Sequence, residues 1–108
     1  MALSADILRG YTDTIILHQL SHGDSYGYQI NKTISTLSGG EVELKEATLY
    51  TAFRRLEAAG PALPDGMRKF SGARRRYYAI TALGQEKLIS DLAAWEDTKR
   101  QLDQLLEG

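Results

Sequence analysis

The stretch A-T-L-Y-T-A-F-R-R-L-E-A-A-G, from Ala47 to Gly60, decides the fold. Its apolar side chains recur at positions i, i+3, i+4 and i+7, which predicts a helix with one buried face. These side chains are Leu49, Ala52, Phe53 and Leu56. Gly60 is expected to end the helix, because glycine adopts the left-handed conformation at low cost.

The opposite face of this helix is small or hydroxylated at its centre, where Ala47, Thr51 and Ala58 lie. It is cationic or phenolic at its edges. The edge residues are Thr48, Tyr50, Arg54 and Arg55. Such a face can enter a DNA major groove, and its edges can donate hydrogen bonds to phosphates. Taken by itself, however, the pattern is more typical of a plain amphipathic helix with a solvated polar face.

Length and composition predict one small domain with an uneven distribution of charge. The 108 residues carry a net charge of −1, so the total charge does not indicate a nucleic-acid partner. The distribution does, because basic residues crowd the middle of the chain and acidic residues its C-terminal end. Without cysteine, disulfides and thiolate sites are excluded. Since neither a transmembrane run nor a signal peptide is visible, we expect a cytoplasmic protein with no membrane partner.

Three further helices are predicted around the central one. Apolar periodicity places them at about residues 5–21, 26–37 and 82–106, and the central helix starts near Glu46. The expected N-caps are Ser4 or Asp6 for the first, Ser25 for the second and Thr81 for the last.

Short strands are predicted on both sides of the central helix. Val42 and Leu44 alternate with charged residues, enough for one short strand before it. After it, residues 67–70 and 74–80 form the expected strands of a hairpin, joined by a turn at Ser71-Gly72. The second strand begins with Arg74, Arg75 and Arg76, which can lie against a phosphate backbone or simply form a solvated edge that deters strand pairing.

The order helix, helix, short strand, helix, basic hairpin, long helix predicts a mainly α (α+β) fold, the winged helix-turn-helix. In that plan residues 1–80 form the DNA-binding domain and residues 81–108 a C-terminal dimerisation helix. The last helix carries an apolar seam with 4-3-4-3 spacing, which favours packing on another helix. Its members are Leu88, Leu92, Trp95, Leu102 and Leu106, with Lys99 at the one polar position. A homodimer would cover this seam; the alternative is that the helix folds back on its own domain.

Five segments in this order resemble the PadR family of bacterial transcriptional regulators. They are Tyr26-Gly27-Tyr28, Ala47-Thr48-Leu49-Tyr50, Arg54-Arg55-Leu56-Glu57 with Gly60, Gly72-Ala73-Arg74-Arg75-Arg76-Tyr77-Tyr78, and Thr81-Ala82-Leu83-Gly84. With Trp95 they cover nearly the whole chain. The short length, the E-A-T-L-Y-T helix and the tryptophan in the last helix are similar to the small LmrR-like subfamily of multidrug-binding repressors.

The resemblance implies a homodimer that binds a palindromic operator in double-stranded DNA and acts as a repressor. It implies a DNA-facing set on the third helix and the wing, namely Thr48, Tyr50, Thr51, Arg54, Arg74, Arg75 and Arg76. It also implies a site at the dimer interface where Trp95 stacks on a planar hydrophobic small molecule. The expected surroundings of that site are Ile7, Tyr11, Leu92 and Lys99.

One stretch, from Pro61 to Phe70, departs from the family pattern of Leu-Ile or Ile-Ile followed by Tyr-Trp-Gly. Its length is unchanged, so it reflects either divergence or a local compensated frameshift. Its two prolines are expected to weaken the first wing strand, because proline donates no hydrogen bond to a ladder.

Two other classes of function stay open. A small-molecule-binding protein with little DNA binding is motivated by the Trp95 seam, and a winged helix used for protein contact is disfavoured by its need for acidic partners. An enzyme is not expected, because no nucleophile–base pair or glycine-rich phosphate loop is present. His18 and His22 have metal-binding spacing, but no third ligand is evident, so we expect no metal and no cofactor.

Overall fold

The computed structural model describes residues 3–70 and 73–108, which form four helices and a two-stranded antiparallel sheet. Helix α1 covers Ala5–Leu20, α2 Gly27–Leu37, α3 Glu46–Ala59 and α4 Ala82–Glu107, and strands β1 and β2 cover Ala62–Phe70 and Ala73–Ile80. This order confirms the predicted winged helix-turn-helix fold with a long C-terminal helix. The predicted turn at Ser71-Gly72 lies outside the described residues.

The core forms where α1, α2, α3 and the sheet meet. All four side chains of the predicted α3 stripe are buried, and they pack with Ile16, Leu17 and Leu20 of α1. The ring of Phe53 stacks on Tyr78 of β2, with centroids 4.2 Å apart and planes 11° from parallel. This stack joins α3 to the wing, the hairpin of strands β1 and β2. It therefore sets the position of β2 relative to the outward face of α3.

The helix ends follow the sequence signals at three of four predicted positions. The Ser4 side chain accepts a hydrogen bond from the Ile7 N–H, and Gly60 ends α3 in the left-handed conformation at φ 101°. The predicted Ser25 cap of α2 is wrong, because Tyr26 is the N-cap residue and makes no side-chain cap. The Ser25 backbone instead exchanges two hydrogen bonds with Tyr78 of β2, at 2.8 and 3.2 Å.

The predicted strand at Val42 and Leu44 is absent from the described residues, and side chains take the place of its partner strand. Asn31 of α2 donates to the Leu44 carbonyl at 2.8 Å and accepts from the Leu44 N–H at 2.9 Å. The Ser38 hydroxyl accepts from the Val42 N–H at 2.9 Å. Because these two side chains satisfy the connector between α2 and α3, it needs no ladder.

Strand β1 begins earlier than predicted, at Ala62, and includes Pro64. Pro64 lies opposite Tyr78, and the pairing register shifts between Pro64 and Met67. The irregularity follows directly after the residue that lacks an N–H, so the expected disturbance by proline is local and the strand continues beyond it.

Helix α4 starts in a tight junction with the end of α3. Thr81 caps α4 by accepting from the Gly84 N–H at 3.1 Å, and its hydroxyl donates to the Gly60 carbonyl at 2.7 Å. Gly84 is buried so closely that a Cβ there would lie 2.0 Å from the Pro61 carbonyl oxygen. Only glycine permits this approach, which sets the direction in which α4 leaves the domain.

The two halves of α4 have different surroundings. The first half packs on α1, where the Thr14 hydroxyl donates to Asp91 at 2.8 Å, and Leu88 is buried in the core of this chain. Leu88 therefore differs from the other members of the predicted seam, because it is already covered within the chain. The second half leaves Leu102 49% and Leu106 83% exposed. No helix in the described part of the chain is long and apolar enough to cross a membrane.

Candidate nucleic-acid interface

The predicted reading face of α3 is exposed along its length. Thr48, Tyr50, Thr51 and Arg54 all lie on it, beside the small exposed residues Ala47 and Ala58. The opposite face of the helix is buried, as its apolar spacing requires. Hydroxyl, phenol and guanidinium groups therefore stand together on one accessible helix surface, which carries no large aliphatic side chain.

A groove of about 630 Å³ separates the start of α3 from the wing. We call it the α3–wing groove. Arg74, Arg75 and Arg76 of β2 line one side, and Lys45, Glu46 and Tyr50 line the other. The structure thus brings Tyr50 and the three wing arginines to a common cleft. Thr48, Thr51 and Arg54 are not among the groove-lining residues and lie on the exposed surface of α3.

The three wing arginines have different partners. Arg76 pairs with Glu57 of α3 at 3.3 Å and lies over the Tyr78 ring. Arg75 is half-buried, and its guanidinium carbon lies 5.6 Å from the ring centroid of Tyr26 and 5.5 Å from that of Tyr28. Arg74 is exposed.

The two arginines of α3 also differ. Arg55 donates to the two carboxylate oxygens of Asp13 on α1 from its Nε and one terminal nitrogen, and this hydrogen bonding raises the pKa of Arg55 above its usual value. Arg54 is exposed and has no ion pair with any described carboxylate. The first ties α3 to α1, whereas the second keeps its charge available on the outward face.

Tyr78 also lines the groove. Burial raises the pKa of its hydroxyl above the usual tyrosine value, and the nearby positive charge of Arg76 opposes that rise. The Tyr78 ring stacks on Phe53, and the guanidinium of Arg76 lies over the same ring.

Several residues that line the groove were not predicted from the sequence. Tyr26 and Tyr28 contributed to the family resemblance but were given no place in the DNA-facing set, and Asn31 and Lys45 were given none either. The missed signal is the Tyr-Gly-Tyr spacing itself, because Tyr26, outside α2, and Tyr28, inside it, can both face one strand. Their contacts with Arg75 depend on the position of the wing and cannot be derived from helix periodicity.

The predicted ligand residues form a separate cluster between α1 and α4. Tyr11 meets the Trp95 ring edge-on, with centroids 5.4 Å apart, and the Lys99 ammonium lies 5.4 Å from the Trp95 centroid. Lys99 also pairs with Glu96 at 2.9 Å. Ile7, Leu92 and Trp95 stay partly exposed, Trp95 by 38%. No group of three or more metal-ligating side chains occurs among the described residues, and His22 instead contacts the His18 carbonyl and ring.

Comparison with known proteins gives concordant results. Residues 16–90 match the Transcriptional regulator PadR-like family. A transcriptional regulator from Clostridium thermocellum is 41% identical, with a TM-score of 0.84 over 93% of this chain and 97% of its own. A PadR family transcription regulator from hypervirulent Clostridium difficile is 33% identical, with a TM-score of 0.76 over 89% of this chain and 98% of its own.

A curated relative from Lysinibacillus sphaericus, itself an uncharacterized protein, is 38% identical over 104 residues, which are 96% of this chain and 95% of that protein. The family match, over residues 16–90, covers α3, both strands and the first part of α4. Together with the exposed α3 face and the cationic groove, it shows that this chain belongs to the PadR-like family of transcriptional regulators.

Proposed function

We propose that the protein is a homodimeric repressor that binds a palindromic operator. Residues 1–80 act as the DNA-binding part and residues 81–108 as the dimerisation helix. The observation that carries the proposal is the shared cleft of Tyr50 and the wing arginines, next to the exposed face of α3. A major groove about 12 Å wide admits a helix, and a flanking strand with cations can follow the adjacent phosphate backbone.

The contacts divide by chemistry. Thr51 and Tyr50 lie on the N-terminal half of α3 and are proposed to face base edges, with Thr48 beside them. Arg54 and Arg74 to Arg76 are proposed to neutralise phosphates and release counterions, which supplies sequence-independent affinity and makes binding depend on salt.

Dimerisation is proposed to occur through the exposed part of the α4 seam. Leu92, Trp95, Leu102 and Leu106 are at least 38% exposed, and their burial by a second copy would remove a row of apolar side chains from water. Two α3 helices of such a dimer would read half-sites about 34 Å apart. Leu88 would support this seam from inside the protomer.

The direct test is a mobility-shift assay on DNA from upstream of the protein's own gene, at two salt concentrations and with a nonspecific competitor. A retarded band that survives competitor and weakens steeply with salt is expected. If no band appears on that fragment, selection from random duplexes identifies a preferred sequence. Selection that enriches no sequence would contradict operator binding.

A second proposal is that planar hydrophobic molecules bind beside Trp95 and alter operator affinity. It is supported by the partly exposed indole, which Tyr11 contacts at its edge and Lys99 approaches. A ligand changes DNA affinity only by binding two protomer arrangements unequally. Trp95→Ala is expected to weaken binding of a planar dye in calorimetry more than it weakens dimerisation in sedimentation. Dye binding without any operator shift would instead favour a small-molecule-binding protein.

A further inference from the structure

Arg75 is held by aromatic rings and lacks a counter-ion among the described residues. Its guanidinium lies within 5.6 Å of two tyrosine ring centroids, those of Tyr26, the N-cap residue of α2, and Tyr28, the second residue of that helix. The Nε–H of Arg75 is buried and has no hydrogen-bond partner in the described structure. A buried unpaired donor costs free energy, so the position needs an explanation beyond surface solvation.

The neighbouring Arg76 provides the contrast. It has a carboxylate partner, Glu57, and its charge is therefore partly neutralised within the protomer. Arg75, on the opposite face of β2, is surrounded by ring faces, which attract a cation without hydrogen-bonding its terminal nitrogens. An arginine stacked on ring faces can still donate hydrogen bonds to an oxyanion from its terminal nitrogens, whereas the buried Nε–H of Arg75 takes no part in such a contact.

We propose that Tyr26 and Tyr28 are positioning residues that hold Arg75 as a preset phosphate ligand on the edge of the α3–wing groove. This rests on the proposed DNA-binding function and adds to it a role for α2, which neither reads bases nor belongs to the wing. The rings restrict the rotamers of a long side chain before DNA arrives, so less conformational entropy is lost when the phosphate binds.

The rings of Tyr26 and Tyr28 differ in burial and in their other contacts. Tyr26 is buried and its ring also meets that of Tyr77 at 5.0 Å, so it belongs to the fold. Tyr28 is 63% exposed, and its ring lies beneath the guanidinium of Arg75. Tyr28 can therefore be changed with little effect on folding. A substitution there tests the contact with Arg75 separately from the stability of the domain.

The test uses four forms of the full-length protein beside the wild type, namely Tyr28→Leu, Tyr28→Phe, Arg75→Ala and the double variant Tyr28→Leu/Arg75→Ala. Because the contact is to phosphate, the probe is a short duplex of arbitrary sequence, titrated by fluorescence anisotropy across a salt series. Arg100→Ala, an exposed arginine on α4 paired with Asp97, is the matched control. Thermal unfolding of each variant accompanies the titrations.

Arg75→Ala is expected to lower the slope of log affinity against log salt by about one, the value for one lost phosphate contact. Tyr28→Leu is expected to weaken binding by about fivefold, the size of one modest cation–π contact. Tyr28→Phe retains the ring and should bind as the wild type does. The double variant should bind no more weakly than Arg75→Ala, because the ring acts only through the arginine.

Three results would overturn the proposal. They are an unchanged salt slope in Arg75→Ala, a Tyr28→Leu protein that binds like the wild type, and additive losses in the double variant. Failure of the repressor proposal is separately visible, because it would remove preference for an operator while leaving these nonspecific titrations measurable. Absence of all duplex binding by the wild type would contradict both.

Discussion

The α3–wing groove and the exposed α4 seam lie at opposite extremes of side-chain chemistry within one small protein. The groove is lined by cations, of which Arg75 lies over two ring faces at the start of α2 and Arg76 pairs with a carboxylate of α3. The seam is a row of leucines and one tryptophan, of which only the α1 side is covered. The first surface suits a charged, hydrated partner; the second suits a partner that excludes water.

The two surfaces differ in how the positions of their side chains are set. In the groove, Arg75 already lies over the rings of Tyr26 and Tyr28. Arg76 already pairs with Glu57. On the second half of α4, Leu102 and Leu106 have no described cover, and only the helix itself orients them. A preset surface gives up less entropy on binding, whereas an uncovered apolar face gains its order when another apolar face covers it.

The largest expected effect breaks the junction that links the two regions. Gly84→Ala would place a Cβ 2.0 Å from the Pro61 carbonyl oxygen and 2.7 Å from the Ile80 side chain. We expect a loss of about 3 kcal/mol or more in the free energy of unfolding, measured by urea denaturation. Gly10→Ala is the control, because nothing lies within 4 Å of its Cβ on α1 and alanine favours a helix. Equal stability of the two variants would contradict the tight junction.

The next largest effect tests whether the α4 seam, and not the groove, is the surface of self-association. Leu102→Lys puts a charge on the proposed dimer surface and is expected to weaken self-association about a hundredfold, as measured by sedimentation. Leu105→Lys, on a residue that is 75% exposed but off the 4-3-4-3 seam, should leave association nearly unchanged. Both variants should keep the wild-type circular dichroism. If both variants associate as the wild type does, the seam is not the contact surface.

A smaller effect concerns the connector between α2 and α3, which Asn31 holds by two hydrogen bonds to Leu44. Asn31→Ala removes both hydrogen bonds to the Leu44 backbone and leaves its N–H and carbonyl without these partners. We expect a loss of about 1–3 kcal/mol in unfolding free energy, with DNA affinity reduced and self-association preserved. Gln29→Ala, on an exposed position of α2, is the comparison. A dimer that dissociates in Asn31→Ala would show that the connector also supports α4.

The smallest effects distinguish two adjacent arginines of α3. Arg55→Ala should lower stability by about 0.2–1 kcal/mol, because it breaks a partly exposed ion pair with Asp13, and should leave the salt slope of DNA binding unchanged. Arg54→Ala should leave stability unchanged and lower that slope by about one. Reversal of the two outcomes would show that the outward face of α3 has been assigned the wrong way round.

Local sequence patterns predicted most of the helical framework. The spacing of Leu49 and Phe53, the glycine at position 60 and the threonine at position 81 each act through neighbours within one helical turn, so their outcomes follow from geometry. The connector before α3 was mispredicted as a strand, because its hydrogen-bond partners come from Asn31 and Ser38 and no periodicity signals them.

The groove shows the same division. The exposed face of α3 and the row of arginines on β2 were predicted from composition and phase. Which arginine has which partner was not, because Arg55, Arg75 and Arg76 have the same chemistry and differ only in what other elements bring beside them.

By itself, the sequence determined the fold class, the buried face of α3 and the concentration of cations in the wing, since these depend on periodicity and composition. Only the tertiary structure decided that Arg55 and Arg76 have carboxylate partners within the chain, that Arg75 lies over two tyrosine rings, and that Leu88 lies inside the core. Such pairings join residues far apart in the chain, and their distances exist only once α1, α2 and β2 have packed against α3.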